Sequence, residues 1–227
     1  MKPLVIFGTG EIASLAKYYF ENDSDYNVIA FTADDDYVQS DTFEGLPLLP
    51  FSSFIQKHSP EDIHVHVALS YRKLNQTREE KFNLLKSKGY TLASYVCTKS
   101  VTWPDLSIGE NCFILENQTI QPTVTIGNNV MIWSGNHIGH GSTIKDHAYI
   151  SSHVVISGHC TIGERCFLGV NSTIKDFTTI ASDCFITMDS SVAKDMQKGS
   201  LSLPEKTTIY PEDHKLSKTL IQRYFFS

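Results

Sequence analysis

One aliphatic residue recurs every six positions from Leu106 to Asp195: Ile108, Ile114, Ile120, Ile126, Ile132, Ile138, Ile144, Ile150, Ile156, Ile162, Leu168, Ile174, Ile180, Ile186 and Val192. Fifteen consecutive hexads without a slip constrain the fold more than anything else in the chain. Four residues after most of these aliphatics comes a small or compact residue, among them Cys112, Val124, Ser142, Ala148, Cys160, Cys166, Ser172 and Cys184. Glycine follows the aliphatic directly at Gly109, Gly127, Gly139, Gly163 and Gly169, which reads as a tight turn. A buried knob, a corner and a small inward residue per six positions describe the repeating unit of a parallel β-helix. Three such units make one triangular coil, so residues 18 apart stack and the repeat builds about five coils.

The chain has 227 residues, enough for a second domain ahead of the repeat. Lys2 to Phe7 is a short apolar run ending in Gly8-Thr9-Gly10, and Ile12, Leu15, Ala16, Tyr19 and Phe20 follow at helical spacing. A second strand is expected over Asn27 to Phe31, a turn at Gly45-Leu46-Pro47 and a short helix over Phe51 to Lys57. His64 to Leu69 reads as a third strand. A helix over Thr77 to Lys88, opened by a Thr77/Glu80 capping box, and a strand over Thr91 to Val96 complete the unit. Alternating strands and helices predict a small parallel sheet of about four strands with Rossmann-like order. The fold class is therefore α/β plus β: a Rossmann-like domain over 1–97, a β-helix over 98–195, and a C-terminal tail over 196–227.

Net charge is −6 and the repeat carries no Lys/Arg stripe, which argues against nucleic acid as a partner. No apolar run approaches membrane-spanning length, and the opening MKPLVIFGTGE enters a strand without a leader-like core, so a soluble cytoplasmic protein with no membrane partner is expected. Of the five cysteines, Cys112, Cys160, Cys166 and Cys184 occupy the small inward position and read as compact fillers.

Two places carry chemistry. Gly8-x-Gly10 admits two readings, a tight strand-to-helix turn or a cradle whose backbone N–H groups hold a phosphate; the acidic run Asp34-Asp35-Asp36 then falls where nucleotide-binding units often place a carboxylate. Four strands suit a sugar nucleotide's diphosphate better than a full dinucleotide. The second place is the cluster His137, His140, His147, His153 and His159, which must lie at corners or on outer faces because inward positions are filled. Each alone reads as a surface histidine; as a group they offer proton transfer near neutral pH. No two are 18 apart, so none stack directly to form a zinc site, and no metal is expected.

The segments Gly135-Asn136-His137-Ile138-Gly139-His140, Ser151-Ser152-His153 and Ile156 to Ser172, following the short α/β unit, resemble the bacterial sugar acyltransferases of the hexapeptide-repeat class. These comprise the bacillosamine- and perosamine-type sugar-nucleotide N-acetyltransferases and the sialic acid O-acetyltransferases. The resemblance covers roughly residues 1 to 195. It implies a left-handed β-helix, a homotrimer, acetyl-CoA in the groove between neighbouring helices, and a nucleotide-sugar acceptor on the N-terminal domain. Residue by residue it implies His140 as general base, Tyr149, Gly158, Gly169 and Lys175 toward acetyl-CoA, and Gly8, Thr9, Gly10, Asp34 and Asp35 toward the nucleotide sugar. Three departures stand out: Tyr149 where the family has a second histidine, Gly141 where it follows the base with an acid, and Ser202-Leu203-Pro204-Glu205 with a further tail to Ser227 where relatives read Gly-x-Pro-Ala. The expected activity is acetyl transfer from acetyl-CoA to the amino group of a nucleotide-linked deoxyamino sugar, for surface polysaccharide (O-antigen or capsule, hence lipopolysaccharide) synthesis. A sugar O-acetyltransferase and a non-catalytic trimeric scaffold are the alternatives.

Overall fold

The computed structural model describes residues 1–205 and 208–225; parts of the expected tail, Lys206, Thr207, Phe226 and Ser227, lie outside the described residues. The N-terminal unit runs β1 (Lys2–Phe7), α1 (Glu11–Asn22), β2 (Tyr26–Ala33), β3 (Thr42–Phe43), β4 (Leu46–Pro50), α2 (Phe51–Lys57), β5 (His64–Val67), α3 (Gln76–Ser87) and β6 (Thr91–Leu92). Its sheet is larger than expected and mixed, in the order β3-β4-β2-β1-β5-β6. The added strands come from Gly45, whose positive φ (76°) closes a β3–β4 hairpin, after which β4 lies parallel beside β2. Alternation along β1 divides the core: Leu4 and Ile6 pack with Ala13, Ala16 and Phe20 of α1, whereas Val5 and Phe7 pack with Phe54 of α2 and Phe82 and Leu85 of α3. The Thr77/Glu80 box does not cap α3. That helix begins one residue earlier, behind Asn75 in the left-handed region (φ 67°) and with no side-chain cap.

The expected strand Thr91 to Val96 is two strands with different partners. Thr91–Leu92 pairs with β5, while β7 (Tyr95–Val96) pairs with Phe113–Ile114 of the β-helix. From there the hexads form two-residue strands that pair in parallel every 18 residues, Ile114 with Ile132 with Ile150 for example. They make three faces. Face one runs Tyr95–Val96, Phe113–Ile114, Met131–Ile132, Tyr149–Ile150, Phe167–Leu168, Phe185–Ile186 and Leu201–Ser202. Face two contains His137–Ile138 and Val155–Ile156, and face three contains Thr143–Ile144 and Thr161–Ile162. The hexad aliphatics and the small inward residues fill the interior, from Cys112 and Ile114 through Ala148 and Ile150 to Cys184 and Ile186, all fully buried. Cysteine thiols here meet carbonyls of the next coil, as Cys160 Sγ does the oxygen of Lys175 at 3.1 Å.

The glycines that directly follow the aliphatic do not make the tight turn. The left-handed residue at each corner lies two places later and is Asn, His, Asp, Arg, Thr or Phe at all but Gly135 and Gly141. At Gly139 a Cβ would come within 2.5 Å of the Gly158 nitrogen, so this class of glycine serves the close approach of stacked coils rather than a positive φ.

Face one is covered by α1: Tyr19 and Phe20 pack against Phe113, and Tyr95 OH donates to Asp23 at the end of α1 at 2.7 Å. Arg78 of α3 joins the units along the edge between faces three and one. Its fully buried guanidinium donates to Asn129 Oδ1 (3.2 Å), Asn75 Oδ1 (3.0 Å) and the carbonyls of Asn129, His147 and Ala148 (3.2, 2.9 and 3.2 Å). Burial pushes its pKa down to about 10, which still leaves it charged at neutral pH. His147, expected at the surface, is buried at this edge, with Nδ1 2.9 Å from Asn129 Nδ2 and Nε2 3.6 Å from Glu79.

Arg78→Met is expected to cost about 3 kcal/mol of unfolding free energy, because it strands several buried carbonyls, and chemical denaturation measures this directly. A second expectation follows from His66, fully buried and 2.9 Å from the Ala93 oxygen, whose pKa burial pushes down from 6.5 to about 4. Between those values the unfolded chain binds the proton and the folded one does not, so the stability is present above pH about 6.5 and lost as pH falls toward 4. The loss amounts to about 3 kcal/mol. Stability measured across that window should flatten in His66→Gln relative to the wild type; equal slopes would refute the assignment.

Candidate functional site

His140 sits at the corner between faces two and three, on the edge of the prism opposite face one and its covering domain. The corner exposes the ring, and a stack of residues one coil apart holds it. Gln121 Oε1 on the coil before accepts from the His140 backbone N–H at 2.9 Å and lies 3.0 Å from Nδ1. On the coil after, the ring lies over Gly158, where a Cβ would meet Cε1 at 2.9 Å and Nε2 at 3.0 Å. His159 meets the ring edge-on at a centroid distance of 4.9 Å, and Phe177, exposed, stacks on His159 at 4.9 Å. Gly141, at φ +67°, makes room for that ring: a Cβ would come within 2.5 Å of His159 Nδ1, in a left-handed conformation that costs any other residue strain. Lys175 is exposed further along this same edge. Gly169 lies on a different edge, between faces one and two, pressed against the backbone of the next coil.

The N-terminal residues converge on a cleft of about 210 Å³ at the carboxyl ends of β1, β2 and β5, with Gly8, Thr9, Gly10, Asp34, Arg72 and Lys81 in its walls. Strand order reverses there, since β1 is flanked by β2 on one side and β5 on the other, and such a switch point leaves a crevice. Gly8 (φ +136°) has a packing role, because a Cβ would come within 2.7 Å of the Ala68 oxygen. Gly10 has none: a Cβ there meets nothing within 4 Å, so the turn opens to the cleft at the start of α1. Asp34 pairs with Lys81 at 2.6 Å, and Lys81 lies 5.6 Å from the Phe7 ring centroid. Asp35 is turned away to α2, where its carboxylate accepts from the Ser52 N–H at 3.0 Å; these bonds hold its carboxyl below the usual range.

Tyr149 is on face one, not beside His140. It is buried, stacked on Phe167 at 5.1 Å and bonded to Trp133 Nε1. With Trp133, Tyr71, Arg72 and Glu11 it lines a second hollow between the two units, contiguous with the cleft through Gly10, Leu69, Ser70 and Arg72. The loop into α3 contributes Tyr71 and Arg72, then turns through three successive left-handed residues, Lys73, Leu74 and Asn75. Asn75 is buried and anchors that strained turn by donating to the Arg165 oxygen at 3.1 Å.

Gln121, Tyr71, Trp133 and Arg78 were not singled out in the sequence. The signal for Gln121 was present in the 18-residue register, which brings residue 121 to within one position of the coil neighbour of His140. Among the described residues no group of three His, Cys, Asp or Glu side chains is arranged to hold a metal ion, and no helix is long and apolar enough to cross a membrane.

Residues 102–223 match the GMPPB C-terminal domain family, more than half of the chain. The chain belongs to that family. No curated protein matches the sequence. The fold of this GMPPB C-terminal domain family member, with its N-terminal unit, is shared by several solved structures. The acetyltransferase domain of PglB from Neisseria gonorrhoeae superposes with a TM-score of 0.79 at 18% identity, over 90% of this chain and 100% of that one. A mutant of perosamine N-acetyltransferase from Caulobacter crescentus, in complex with CoA and GDP-perosamine, gives 0.79 at 18% identity, over 91% and 98%. WeeI from Acinetobacter baumannii gives 0.59 at 18%, over 88% and 96%. At this identity the likeness is one of fold, a parallel β-helix behind a mixed sheet.

Gly141→Ala should lower the unfolding free energy by about 1 kcal/mol or more, through the left-handed φ and the displaced His159 ring. Gly10→Ala, with open space for its methyl, should be close to neutral in the same thermal or denaturant assay.

Proposed function

We propose that this protein transfers the acetyl group of acetyl-CoA to an amino group of a nucleotide-linked deoxyamino sugar, in the cytoplasm, for surface polysaccharide synthesis. His140 is the general base, and the single observation that carries the assignment is its exposed ring, oriented on one side by Gln121 and seated on Gly158. The amine arrives as an ammonium. His140 first takes one proton from the ammonium, and the neutral amine nitrogen then attacks the thioester carbonyl while the Gly158 N–H stabilises the oxyanion. As the C–S bond breaks, the second proton of the amine passes to the departing thiolate and CoA leaves as the thiol. A preorganised donor of that kind is worth about 3 kcal/mol. Lys175, on the same edge, is assigned to the phosphates of CoA, and Gly169 to the groove wall. Solved structures of the same fold include one that holds CoA with GDP-perosamine, and another that is the acetyltransferase domain of PglB.

The nucleotide sugar belongs to the cleft at Gly8, Thr9 and Gly10. The free Gly10 corner at the start of α1 suits a phosphate, and Lys81, paired with Asp34, supplies charge that a diphosphate can compete for. Asp34 rather than Asp35 faces a bound nucleotide, because Asp35 is committed to α2. The adjoining hollow with Tyr71, Trp133 and Tyr149 takes the sugar. This assignment takes the N-terminal domain as Rossmann-like and the β-helix as left-handed with about five coils.

His140 lies on the edge opposite the face that carries this hollow. One chain therefore does not bring base and acceptor together, and a homotrimer supplies His140 from one subunit to the cleft of the next. A neutral amide beside His140, in place of a carboxylate, favours an amine acceptor over a hydroxyl, which depends more heavily on its base.

Release of free thiol from acetyl-CoA, followed against a panel of amino-sugar nucleotides, tests the reading. His140→Ala should lose about 100- to 10,000-fold in kcat while acetyl-CoA binding by calorimetry is retained. A kcat within a few-fold of wild type sinks the base assignment, and no thiol release with any amino sugar sinks the activity. Co-assembled oligomers of His140→Ala and a cleft-blocked Gly10→Trp chain should regain part of the activity that each lacks alone; inactive mixtures would place the whole site within one chain.

A further inference from the structure

We infer that Gln121 fixes the tautomer of His140, holding the proton on Nδ1 so that Nε2 is the bare, proton-accepting nitrogen. The role in catalysis rests on the acetyl-transfer reading above; the tautomer itself rests on hydrogen-bond logic alone. A side-chain amide has two ends of nearly equal size, and which is oxygen must be argued from its partners. Here the partner decides. The backbone N–H of His140 can only donate, and the amide atom 2.9 Å from it is therefore the acceptor, Oε1. That same oxygen stands 3.0 Å from His140 Nδ1. Two acceptors do not pair, so Nδ1 carries a hydrogen and donates it. A neutral imidazole has one N–H, and Nε2 is consequently left with its lone pair.

The backbone that carries Gln121 is itself held, since its N–H donates to the Ile138 oxygen at 3.0 Å, within the ladder that stacks the coils. Gly158 lies under the ring and His159 is edge-on to it, the titratable side chain in ring contact with His140 among the described residues. When Nε2 takes the proton of the acceptor amine, Nδ1–H remains bonded to Gln121 and the amide keeps its own hydrogens. His140 accepts one proton, and none is relayed through Gln121. Gln121 is thus a positioning residue. It does for orientation and tautomer what an acidic residue would do, without the negative charge that stabilises an imidazolium, and Gly141 consequently needs no carboxylate.

The wild-type protein gives the first test, with no substitution involved. Nitrogen-15 spectra of full-length, histidine-labelled protein at alkaline pH, assigned against His140→Asn, should show His140 predominantly protonated at Nδ1. Predominant Nε2 protonation overturns the inference, whether or not acetyl transfer occurs. Conversely, the expected tautomer together with no turnover would leave this inference standing and remove the proposed function. Two variants test the catalytic consequence. Gln121→Met, of similar length without an acceptor, should lose the Nδ1 preference and lower kcat by about 10-fold or more, with KM for acetyl-CoA unchanged. Gln121→Glu keeps the acceptor and adds charge, so it should retain turnover while the acid limb of kcat/KM moves upward by about 1 to 3 pH units. An unchanged tautomer and kcat in Gln121→Met, or an unmoved acid limb in a folded Gln121→Glu, would refute the positioning role.

Discussion

Every feature of the proposed chemistry descends from a backbone that must return to the same place every 18 residues. The parallel ladders that join Ile114, Ile132 and Ile150, and their counterparts on the other two faces, leave each coil little freedom to slide. A one-residue slip would turn the aliphatic column outward along the whole repeat. Because the register cannot drift, a side chain at one corner meets the same few neighbours on the coils before and after. His140 over Gly158, Gly141 under His159, and Gln121 beside His140 are consequences of that spacing. The scaffold provides orientation from rigid neighbours, the condition a proton acceptor needs if it is to work without reorganising.

The second constraint is the buried Arg78. A guanidinium bonded to carbonyl and amide oxygens, rather than to a carboxylate, is bound by geometry more than by charge; five donors in one plane require acceptors at set positions. Those acceptors come from two successive coils, at residues 129 and 147–148, and from Asn75 at the start of the same helix. The contact therefore reads the register of the β-helix and passes it to α3. The strained turn through Lys73, Leu74 and Asn75 then delivers Tyr71 and Arg72 to the wall of the cleft. Packing between domains and shape of the cleft are in this sense one feature.

Much of this was legible in the sequence because it is periodic. The inward column, the small residues opposite it and the corners can be marked off by counting in sixes. What periodicity does not encode is which partner lies across a coil or a domain. Asp34 and Asp35 are adjacent and chemically alike, yet one faces the cleft and the other ties down α2, a division that no hydrophobic pattern announces. Likewise His147 occupies a corner by its sequence position and is buried only because α3 lies on that edge. The glycines that follow five of the aliphatics were visible but their cause was not: a close approach between coils and a left-handed turn both select glycine, and only the three-dimensional arrangement distinguishes them.

Gly141 and Tyr149 looked in the sequence like the losses that would make this chain an inert scaffold. Their surroundings argue otherwise. At Gly141 the space belongs to His159, so an acidic side chain would have to displace that ring, while the orienting acceptor at Nδ1 of His140 comes instead from Gln121. At Tyr149 the hydroxyl is bonded to Trp133 and the ring is packed between Phe167 and Tyr71, which makes it part of the aromatic wall of the hollow rather than a vacant position. Both positions come with compensating neighbours. In the proposed acetyl transfer, His140 on one edge and the hollow on the opposite face are each half of a site, which a second copy of the chain completes.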